Sequence, residues 1–474
     1  MLYLNWILFL IYGLVALGVG LTVLMENRQP TKALVWLLVL VFLPVVGIVI
    51  YFFFGQNTRK ERIISQQSLD QLSRRSMLGY VEQKDLNVPE EHRPLVRMLA
   101  REGWALPFKN NTVEIFTDGY QLFSTLLRDI AQAQDHIHID TYIFNDDALG
   151  QLVADALIDR ANAGVEVRVV YDSVGSWGVK SSFFERMRDA GIDVHAFMPV
   201  KFPAFTSKVN YRNHRKLCVI DGKVGFIGGM NIAERYVKGR NGRTWRDTHL
   251  RIVGGAVYGI QSAFLVDWFF VDRTLVSDRK YYPEVDKKLF NNCLAQVVTS
   301  NPTSEWPEIM NAYLCILHQA KKYVYMETPY FLPTETFISA LRICALSGVD
   351  VKLMIPSKAD AKVVEWASRS YVMQALDDGV DVRLYQEGFN HSKLLIADDT
   401  LCSCGSTNID FRSFENNFEG NIFFYDPEVT KRLKQVFLDD MEHCVAVKDL
   451  PSFTNRSFFK RLWESIVRLF SPLL

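Results

Sequence analysis

The chain has 474 residues, enough for two or three domains, and its 53 lysine and arginine residues balance its 53 aspartate and glutamate residues. Zero net charge argues against nucleic acid as a partner, because proteins that bind a phosphate backbone usually carry a basic surplus. Hydrophobic residues form 49% of the chain and are unevenly distributed, with the longest apolar runs at the N-terminus.

Two apolar runs occupy the N-terminal segment, from Leu2 to Met25 and from Ala33 to Gly55. Each is long enough to cross a bilayer as a helix, which takes about 20 residues. A signal peptide is the alternative for the first run, but no lysine or arginine precedes it and no small-residue cleavage site follows it. Residues 1–57 are therefore predicted to form a two-helix transmembrane hairpin.

Basic residues beside these runs predict the orientation of the hairpin. Arg59, Lys60 and Arg62 follow the second run, and the link between the runs holds Arg28 and Lys32. Because both ends of a hairpin lie on one side of the membrane, the larger number of basic residues after the second run favours a cytoplasmic body. We expect a multi-pass membrane protein.

The next segments predict a helical connector and then a layered α/β region. Residues 58–107 are polar and helix-prone. From residue 108, the stretches "HIHIDTYIF" and "VEVRVVYD" read as strands on either side of the helix "LGQLVADALIDRANAG". Further on, "KKYVYMETPYF" and "VDVKLMIPS" flank the helix "TFISALRICALSG" in the same way. Strand–helix–strand order predicts parallel strand pairs with helices outside the sheet.

The two α/β regions repeat each other at slowly drifting offsets. Equivalent residues are separated by 187, 184 and 177 positions in the pairs Asp140 and Glu327, Gly164 and Gly348, and His214 and His391. A few loop insertions produce such a drift, so the pattern indicates an internal duplication. We predict an α/β fold with two duplicated halves, residues 108–290 and 291–448, each a mixed β-sheet flanked by helices.

Each half carries one copy of the pattern H-x-K-x4-D, followed by Gly-Gly or Gly-Ser, one residue and Asn. The copies supply His214, Lys216, Asp221 and Asn231, and then His391, Lys393, Asp398 and Asn408. Histidine and lysine two apart on a strand share a face, an arrangement that suits a bound anion. Phosphate is predicted to bind both lysines and both asparagine amides. The small residues Gly228–Gly229 and Gly405–Ser406 are expected to let it approach the backbone.

Two facing halves would form a pseudo-two-fold clamp on a single phosphodiester, with one histidine on each side. One histidine then attacks phosphorus and forms a phosphohistidine, while the other protonates the leaving alkoxide. The lysines and asparagines stabilise charge on the equatorial oxygens. This chemistry requires neither a metal nor another cofactor.

Acidic residues at two equivalent strand starts are candidates to orient the histidines. The stretch "WRDTHLRIVG" contains Asp247, which we assign to His214, and "NFEGNIFFYD" contains Glu419, which we assign to His391. The motif aspartates Asp221 and Asp398 lie on the opposite strand face and are expected to pin a turn or form a salt bridge.

Three other histidines have less specific patterns. His136 and His138 share a strand face and could suggest a metal ligand pair, but a buried or rim position is favoured. His249 follows Asp247 closely, and either a place in the site or a structural role is compatible with its position.

The C-terminal segment, residues 449–474, predicts an amphipathic helix. Phe459, Leu462, Trp463, Ile466, Phe470 and Leu473 gather on one side, and Lys460, Arg461, Glu464 and Arg468 lie largely on the other. Such a helix suits an anionic membrane interface, and packing against the body of the protein is the alternative.

The paired motifs, together with "DTYIFNDDALG", "TWRDTH" and "ETPYFLPTE", resemble bacterial cardiolipin synthases of the phospholipase D superfamily. The resemblance extends over nearly the whole chain. It implies that His214, Lys216, Asp221, His391, Lys393 and Asp398 are active-site residues, with His214 as nucleophile and His391 as acid. One departure is Asn416 in "FENNFE", where family members usually carry leucine.

The resemblance also implies the reaction and its location. Two phosphatidylglycerol molecules would be converted to cardiolipin and glycerol at the bacterial inner membrane, with the phospholipid bilayer as the partner. A hydrolytic phospholipase D or a phosphatidylserine-type synthase is the alternative within the superfamily. A nuclease or a non-catalytic membrane scaffold is the alternative from another class.

Overall fold

Two β-sheets with the same strand order form the body of the protein in a computed structural model, which describes residues 2–26, 30–43, 45–55, 86–102, 105–200, 210–285 and 291–473. The strands of the first half are β2 (Asn111–Phe116), β3 (His136–Thr141), β4 (Glu166–Asp172), β5 (Asp193–Phe197), β6 (Arg212–Asn213), β7 (Lys216–Ile220), β8 (Val224–Gly228), β9 (Trp245–Arg246) and β10 (His249–Gly254), after β1 (Pro107–Phe108).

The strands of the second half are β11 (Ala295–Ser300), β12 (Tyr323–Glu327), β13 (Phe331–Leu332), β14 (Asp350–Pro356), β15 (Asp381–Tyr385), β16 (Phe389–Asn390), β17 (Leu394–Ala397), β18 (Leu401–Gly405), β19 (Ile409–Asp410), β20 (Asn417–Phe424) and β21 (Cys444–Ala446).

The helices before and within the first half are α1 (Leu2–Glu26), α2 (Pro30–Phe42), α3 (Val46–Phe54), α4 (Arg93–Glu102), α5 (Gly119–Gln132), α6 (Ala148–Asn162), α7 (Ser181–Asp189), α8 (Arg235–Lys238) and α9 (Val257–Asp272). Those that follow are α10 (Glu308–Gln319), α11 (Glu335–Leu346), α12 (Lys362–Asp377), α13 (Phe411–Glu415), α14 (Pro427–Glu442), α15 (Pro451–Thr454) and α16 (Phe458–Arg468).

Strand order confirms the duplication. The first sheet runs β2-β10-β8-β7-β3-β4-β5, and the second contains β11-β20-β18-β17-β12-β14-β15 in the equivalent places, with β1 and β21 added at its edges. In each sheet the βαβ units make parallel pairs, β3 with β4 and β12 with β14, while the motif strands β7 and β17 pair antiparallel. The fold is therefore α/β with two mixed sheets, as predicted.

The two sheets pack face to face over an apolar core. On β7, Leu217 and Val219 point into this core, and on β17 Leu394 and Ile396 point into it from the other half. The alternate residues Cys218 and Ile220 instead contact the outer helices of their own half. Both faces of these strands are buried. Alternate side chains therefore enter two different apolar cores, and neither face is exposed to solvent.

The N-terminal helices match the predicted hairpin only in part. The first apolar run is one helix, α1, but the second is divided into α2 and α3, so the prediction of a single second helix was wrong. The sequence places Pro44 between them, and proline lacks the N–H that a continuous helix needs. Within the ranges that the structure describes, no helix combines the length and the apolar character required to span a bilayer.

The predicted connector is largely outside the described residues, because positions 56–85 are among those that the structure does not describe. The basic residues used to predict orientation, Arg59, Lys60 and Arg62, fall in the same gap, and Arg28 lies in another. The described end of the connector forms α4, whose Leu95 and Leu99 pack into the core of the second half.

The C-terminal helix α16 packs on the body and also exposes an apolar face. Arg468 donates a hydrogen bond of 2.9 Å to Gln374 on α12, and the ring of Trp463 lies 5.8 Å from that of Trp366. Glu464 is buried against the body, whereas Phe459 is 79% exposed. The polar side of this helix therefore faces the protein, and much of the apolar side faces outward.

Candidate functional site

Two short strand pairs connect the halves at the histidine motifs. Strand β6 runs parallel to the start of β20, and β16 runs parallel to β9. As a result, the N–H of His214 donates to the carbonyl of Phe418 at 2.9 Å, and the N–H of His391 donates to that of Arg246 at 2.7 Å. Each motif histidine thus lies beside the residue that precedes the candidate acid of the opposite half.

This exchange reverses the predicted pairing of histidines and acids. Nδ1 of His214 lies 3.1 Å from both carboxylate oxygens of Glu419, and Nδ1 of His391 lies 2.7 Å from Oδ2 of Asp247. The assignments of Asp247 to His214 and of Glu419 to His391 were therefore wrong. They assumed that each half orients its own histidine, but the exchanged strands place each acid against the other half's ring.

The two motif lysines have equivalent positions. Lys216 donates to the main-chain oxygen of His214, and Lys393 donates to that of His391. Lys393 Nζ also lies 2.8 Å from His391 Nδ1. A carboxylate only accepts, so we assign the ring hydrogen to Nδ1, facing Asp247. In this tautomer Lys393 does not donate to Nδ1, and Nε2 is left as the basic nitrogen of the ring. The contact between Nδ1 of His214 and Glu419 leaves Nε2 of that ring free in the same way.

Charges from both halves act on each histidine. Burial lowers the pKa of His214, against the opposing effect of the Glu419 carboxylate. Burial, followed by the positive charges of Lys393 and Lys216 and by the charge that His214 carries when protonated, holds the pKa of His391 well below its usual 6.5. Both rings are therefore neutral near pH 7 until an anion binds, and the mutual effects place the two histidines in one electrostatic unit.

The lysines and acids of the site are also perturbed. Burial lowers the pKa of Lys216 to about 7 and that of Lys393 to about 8. Burial raises the pKa of Asp247. Burial would also raise the pKa of Glu419, but His214 and Lys216 outweigh it and the pKa is lowered. Glu419 is thus a stable carboxylate next to His214.

The small residues of the motifs make room for protein atoms. A side chain at Gly228 would meet the backbone of His249 at 2.5 Å, and one at Gly229 would meet the carboxylate of Asp247 at 2.0 Å. One at Gly405 would meet Asn421 at 2.3 Å. Neighbouring strands and an acid therefore account for the small residues at these positions, and the approach of phosphate to the backbone there stays a prediction. Ser406, the counterpart of Gly229, donates to Glu419.

The two motif asparagines differ in their surroundings. The side-chain oxygen of Asn231 accepts from the N–H of Ile143 at 3.0 Å, and its amide donates to the hydroxyl of Tyr236 at 2.7 Å. These contacts suit a positioning role. The side-chain oxygen of Asn408 is buried without a hydrogen-bond partner among the described residues. An amide oxygen only accepts, so this atom does not bind a phosphate oxygen, and phosphate binding by Asn408 requires its amide NH2.

Asp221 and Asp398 lie away from the histidines. Asp221 follows β7, which begins at Lys216, and Asp398 follows β17, which begins directly after Lys393. Because a strand rises about 3.3 Å per residue, Asp221 is roughly 16 Å from Lys216 along the strand. Asp221 accepts three backbone N–H groups, from residues 134–136, at 2.8 to 3.0 Å. Asp398 accepts those of residues 321–323 at 2.7 to 3.0 Å. Their contacts agree with the expected structural role and not with the catalytic role that the resemblance implied.

A buried polar network lies beneath each histidine and was not predicted from the sequence. Asn213 donates to Asp140 at 2.8 Å, and its counterpart Asn390 donates to Glu327 at 3.3 Å. Arg215 donates to the main-chain oxygen of Glu419 at 2.9 Å and forms an ion pair with Asp267. The signal was present, because the asparagine precedes the histidine in both motifs.

The three other histidines considered above, His136, His138 and His249, are buried. His136 and His138 are fully buried and both contact the Gln261 amide, as the favoured buried position predicted. Across the described part of the chain, no three residues of the metal-binding types cluster in a way that could hold an ion. His249 is buried next to Asp247, and burial lowers its pKa to about 3.

Comparison with known proteins agrees with the geometry. The family described as cardiolipin synthase, PLD-like domain, matches residues 126–246 and 313–441, and the phospholipase D-nuclease N-terminal family matches residues 6–56. A cardiolipin synthase from Oceanobacillus iheyensis is 41% identical over 97% of each chain. The major cardiolipin synthase of Bacillus subtilis is 39% identical over 95% of each chain.

A solved structure also shares the fold. The phosphatidylserine synthase of Haemophilus influenzae superposes with a TM-score of 0.61 at 14% identity, covering 80% of this chain and 98% of its own. At that identity the likeness concerns the arrangement of the two sheets.

Proposed function

This chain belongs to the cardiolipin synthases with phospholipase D-like domains, which are phosphatidyltransferases, and we propose that it joins two phosphatidylglycerol molecules into cardiolipin and glycerol through a phosphohistidine. The observation that carries the mechanism is the crossed arrangement of His214 with Glu419 and of His391 with Asp247. It supplies two neutral imidazoles with Nε2 free, each backed by an acid, at one site.

In the first step, Nε2 of His214 attacks phosphorus of the donor lipid, and the bond between phosphorus and the oxygen of the head-group glycerol breaks. His391, protonated when the anionic lipid binds, gives its proton to that oxygen, and glycerol leaves. In the second step the terminal hydroxyl of another phosphatidylglycerol attacks the phosphohistidine and passes its proton to His391. The new oxygen–phosphorus bond forms as the nitrogen–phosphorus bond breaks.

Glu419 supports the choice of His214 as nucleophile. Attack converts the His214 ring into a cation, and the ionised carboxylate at Nδ1 stabilises that charge. Lys216 and Lys393 stabilise the phosphoryl oxygens as charge develops, and the amide nitrogen of Asn408 donates a further hydrogen bond. Asn231 and Asp247 hold neighbouring groups in place, since both are engaged with protein atoms.

The test of this function uses phosphatidylglycerol as the only lipid. Purified protein in mixed micelles should release glycerol and cardiolipin in equal amounts, measured by mass spectrometry. His214→Ala and His391→Ala should each lower the rate by about three orders of magnitude or more. His318→Ala is the matched control, because that histidine is exposed on α10. Phosphatidic acid as the main product would identify a hydrolytic phospholipase D instead.

The order of the histidines has its own measurement. With phosphatidylglycerol labelled in its phosphate, acid-labile label should be trapped on His214 and should be missing from His214→Asn. Label on His391 would reverse the two roles while leaving the overall reaction unchanged.

Attachment to the bilayer follows from the exposed apolar surface at both chain ends. Phe459 on α16 and Leu469 directly after it are exposed, and helix α1 exposes Trp6, Leu10, Leu14, Leu17, Leu21 and Leu24. Burial of such surface in lipid is favourable, and it brings the site to its substrates. We infer that α1 to α3 anchor the chain in the bacterial inner membrane as a multi-pass segment, with the catalytic body on the cytoplasmic side.

A further inference from the structure

The proposed reaction presents the protein with two phosphate groups at once. One belongs to the donor and is bound by the two motifs. The other belongs to the acceptor phosphatidylglycerol, and in cardiolipin the two phosphates are joined through one glycerol. Because each phosphodiester is an anion, the second phosphate requires a cation of its own close to the histidines.

Arg235 is a cation at such a position. Its guanidinium carbon lies 5.0 Å from the centre of the Trp245 ring and 5.7 Å from that of Tyr236. The same two rings lie 5.9 Å and 6.2 Å from the ring of His391. Stacking on two aromatic faces holds a guanidinium in place while leaving its N–H groups available.

The charge of Arg235 is not paired with an acid within the described part of the chain. Its Nε is buried without a hydrogen-bond partner, and among the described residues no carboxylate lies within ion-pair distance of the side chain. The neighbouring Glu234 is occupied by Lys238. By contrast, Arg215 and Arg246, which also lie near the histidines, form ion pairs with Asp267 and Asp440.

The chemistry assigns Arg235 to one of the two lipids. In a double displacement, the leaving alcohol and the incoming alcohol occupy the same side of phosphorus, next to the acid–base histidine. That histidine is His391 in the proposed mechanism. The positive charge of Arg235 contributes, after burial, the two motif lysines and His214, to the lowered pKa of His391, in agreement with a position on this side.

We propose that Arg235 binds the phosphodiester of the acceptor phosphatidylglycerol, and so selects an alcohol that itself carries a phosphate. The inference rests on the proposed function and on the role of His391 as acid. When the acceptor hydroxyl attacks, its oxygen replaces Nε2 of His214 on phosphorus, its proton passes to His391, and Arg235 holds the second phosphate throughout.

The repeat supplies a matched comparison. Arg412 lies 177 residues after Arg235, at the equivalent place behind Asn408. It donates to the main-chain oxygen of Asn210 at 3.4 Å. Its charge acts on Tyr142, whose ring lies 5.1 Å from that of His214, and it acts there more strongly than Arg235 does. Of the two arginines, Arg412 therefore lies nearer to the nucleophile's side.

The experiment compares two acceptors on one enzyme. Labelled glycerol exchanges into phosphatidylglycerol through the same phosphohistidine, but it carries no phosphate. In Arg235→Gln the ratio of cardiolipin synthesis to glycerol exchange should fall about tenfold or more, as expected for loss of a charged hydrogen bond. Arg235→Lys should recover part of the ratio by restoring the charge. Arg273→Gln, which removes another stacked arginine, should leave the ratio unchanged.

Each outcome decides between assignments. An unchanged ratio in Arg235→Gln, or a selective fall in Arg412→Gln instead, would overturn the role of Arg235. A Tm equal to that of the wild-type protein would show that Arg235→Gln is folded. Failure of the proposed function would look different, since the wild-type protein would then produce neither cardiolipin nor glycerol exchange.

Discussion

Single residues in the site are coupled through charge. Two lysines and two acids lie around the histidines, so the site is close to neutral before a lipid binds, and an incoming phosphodiester changes that balance. The lysines have lost much of their usual basicity, with pKa values of about 7 for Lys216 and about 8 for Lys393. Small changes in pH therefore alter the charge that phosphate meets.

The lysine pKa values predict a loss of activity in mild alkali. A lysine is charged only below its pKa, so raising the pH through 7 and 8 removes the positive charges that bind phosphate, and both histidines are already neutral. We expect kcat/KM, which reports the free enzyme, to fall at least about tenfold between pH 7 and 9. The measurement is cardiolipin formation in mixed micelles across this range.

A lysine-to-arginine variant is the control for this profile. In Lys216→Arg the guanidinium stays charged, so the alkaline decline should move to higher pH. A flat wild-type profile up to pH 9 would show that the lysines keep their charge in the free enzyme.

The motif aspartates should affect stability rather than chemistry. Asp221→Ala leaves three backbone N–H groups without their acceptor, which should lower the free energy of unfolding by about 3 kcal/mol. The activity of the folded fraction should remain. His214→Ala should do the opposite, with an unchanged Tm and no activity. Equal Tm values for Asp221→Ala and the wild-type protein would contradict the structural role.

At the scale of elements, two arrangements bear on function. The short strands β6 and β16 pair with β20 and β9 of the opposite half, and these pairs position the histidines. The helix α16 packs on α12 through its polar side and leaves Phe459 and Leu469 outward. The first arrangement builds the site, and the second presents an apolar surface to lipid.

A fluorescent probe tests the orientation of α16. Bimane attached at Leu469→Cys should shift its emission to shorter wavelength when vesicles containing phosphatidylglycerol are added, because this side chain is 77% exposed and faces the proposed interface. Leu152→Cys is the matched control, an exposed leucine on α6 of the body. The same shift at both positions, or at neither, would contradict docking through α16.

The whole molecule makes one site from two repeats. The sheets share an apolar core, and each half provides the acid for the other half's histidine. Neither repeat contains a complete pair of a histidine and its acid. A site of this kind exists only when both halves of the same chain are packed together.

Mixing two inactive variants tests this conclusion. Co-expressed His214→Ala and His391→Ala chains should remain inactive, because every site draws both histidines from one chain. The assay is cardiolipin formation by the purified mixture, with equal expression of each chain verified by mass spectrometry. Recovery of a substantial fraction of wild-type activity would show that sites form between chains.

The sequence by itself predicted the features that repeat along the chain. The strand–helix–strand order and the doubled motif, with its constant offset of 177 residues, predicted the duplicated α/β fold, and alternation along the motif strands put each histidine on the same face as its lysine. These features follow from local spacing, since a period of two or a strand–helix–strand order constrains the backbone wherever the segment lies. Arg235 could also have been identified from the sequence, because its counterpart Arg412 lies at the same offset.

Only the tertiary structure decided which acid meets which histidine, what fills the space at Gly229, and which side of α16 faces outward. Spacing within a repeat is identical for the crossed and uncrossed pairings, so no pattern in one chain distinguishes them. The choice depends on the strand pairs between halves, which place Phe418 beside His214 and Arg246 beside His391. Which acid contacts which histidine depends on contacts between segments far apart in the chain, and local sequence patterns do not predict such contacts.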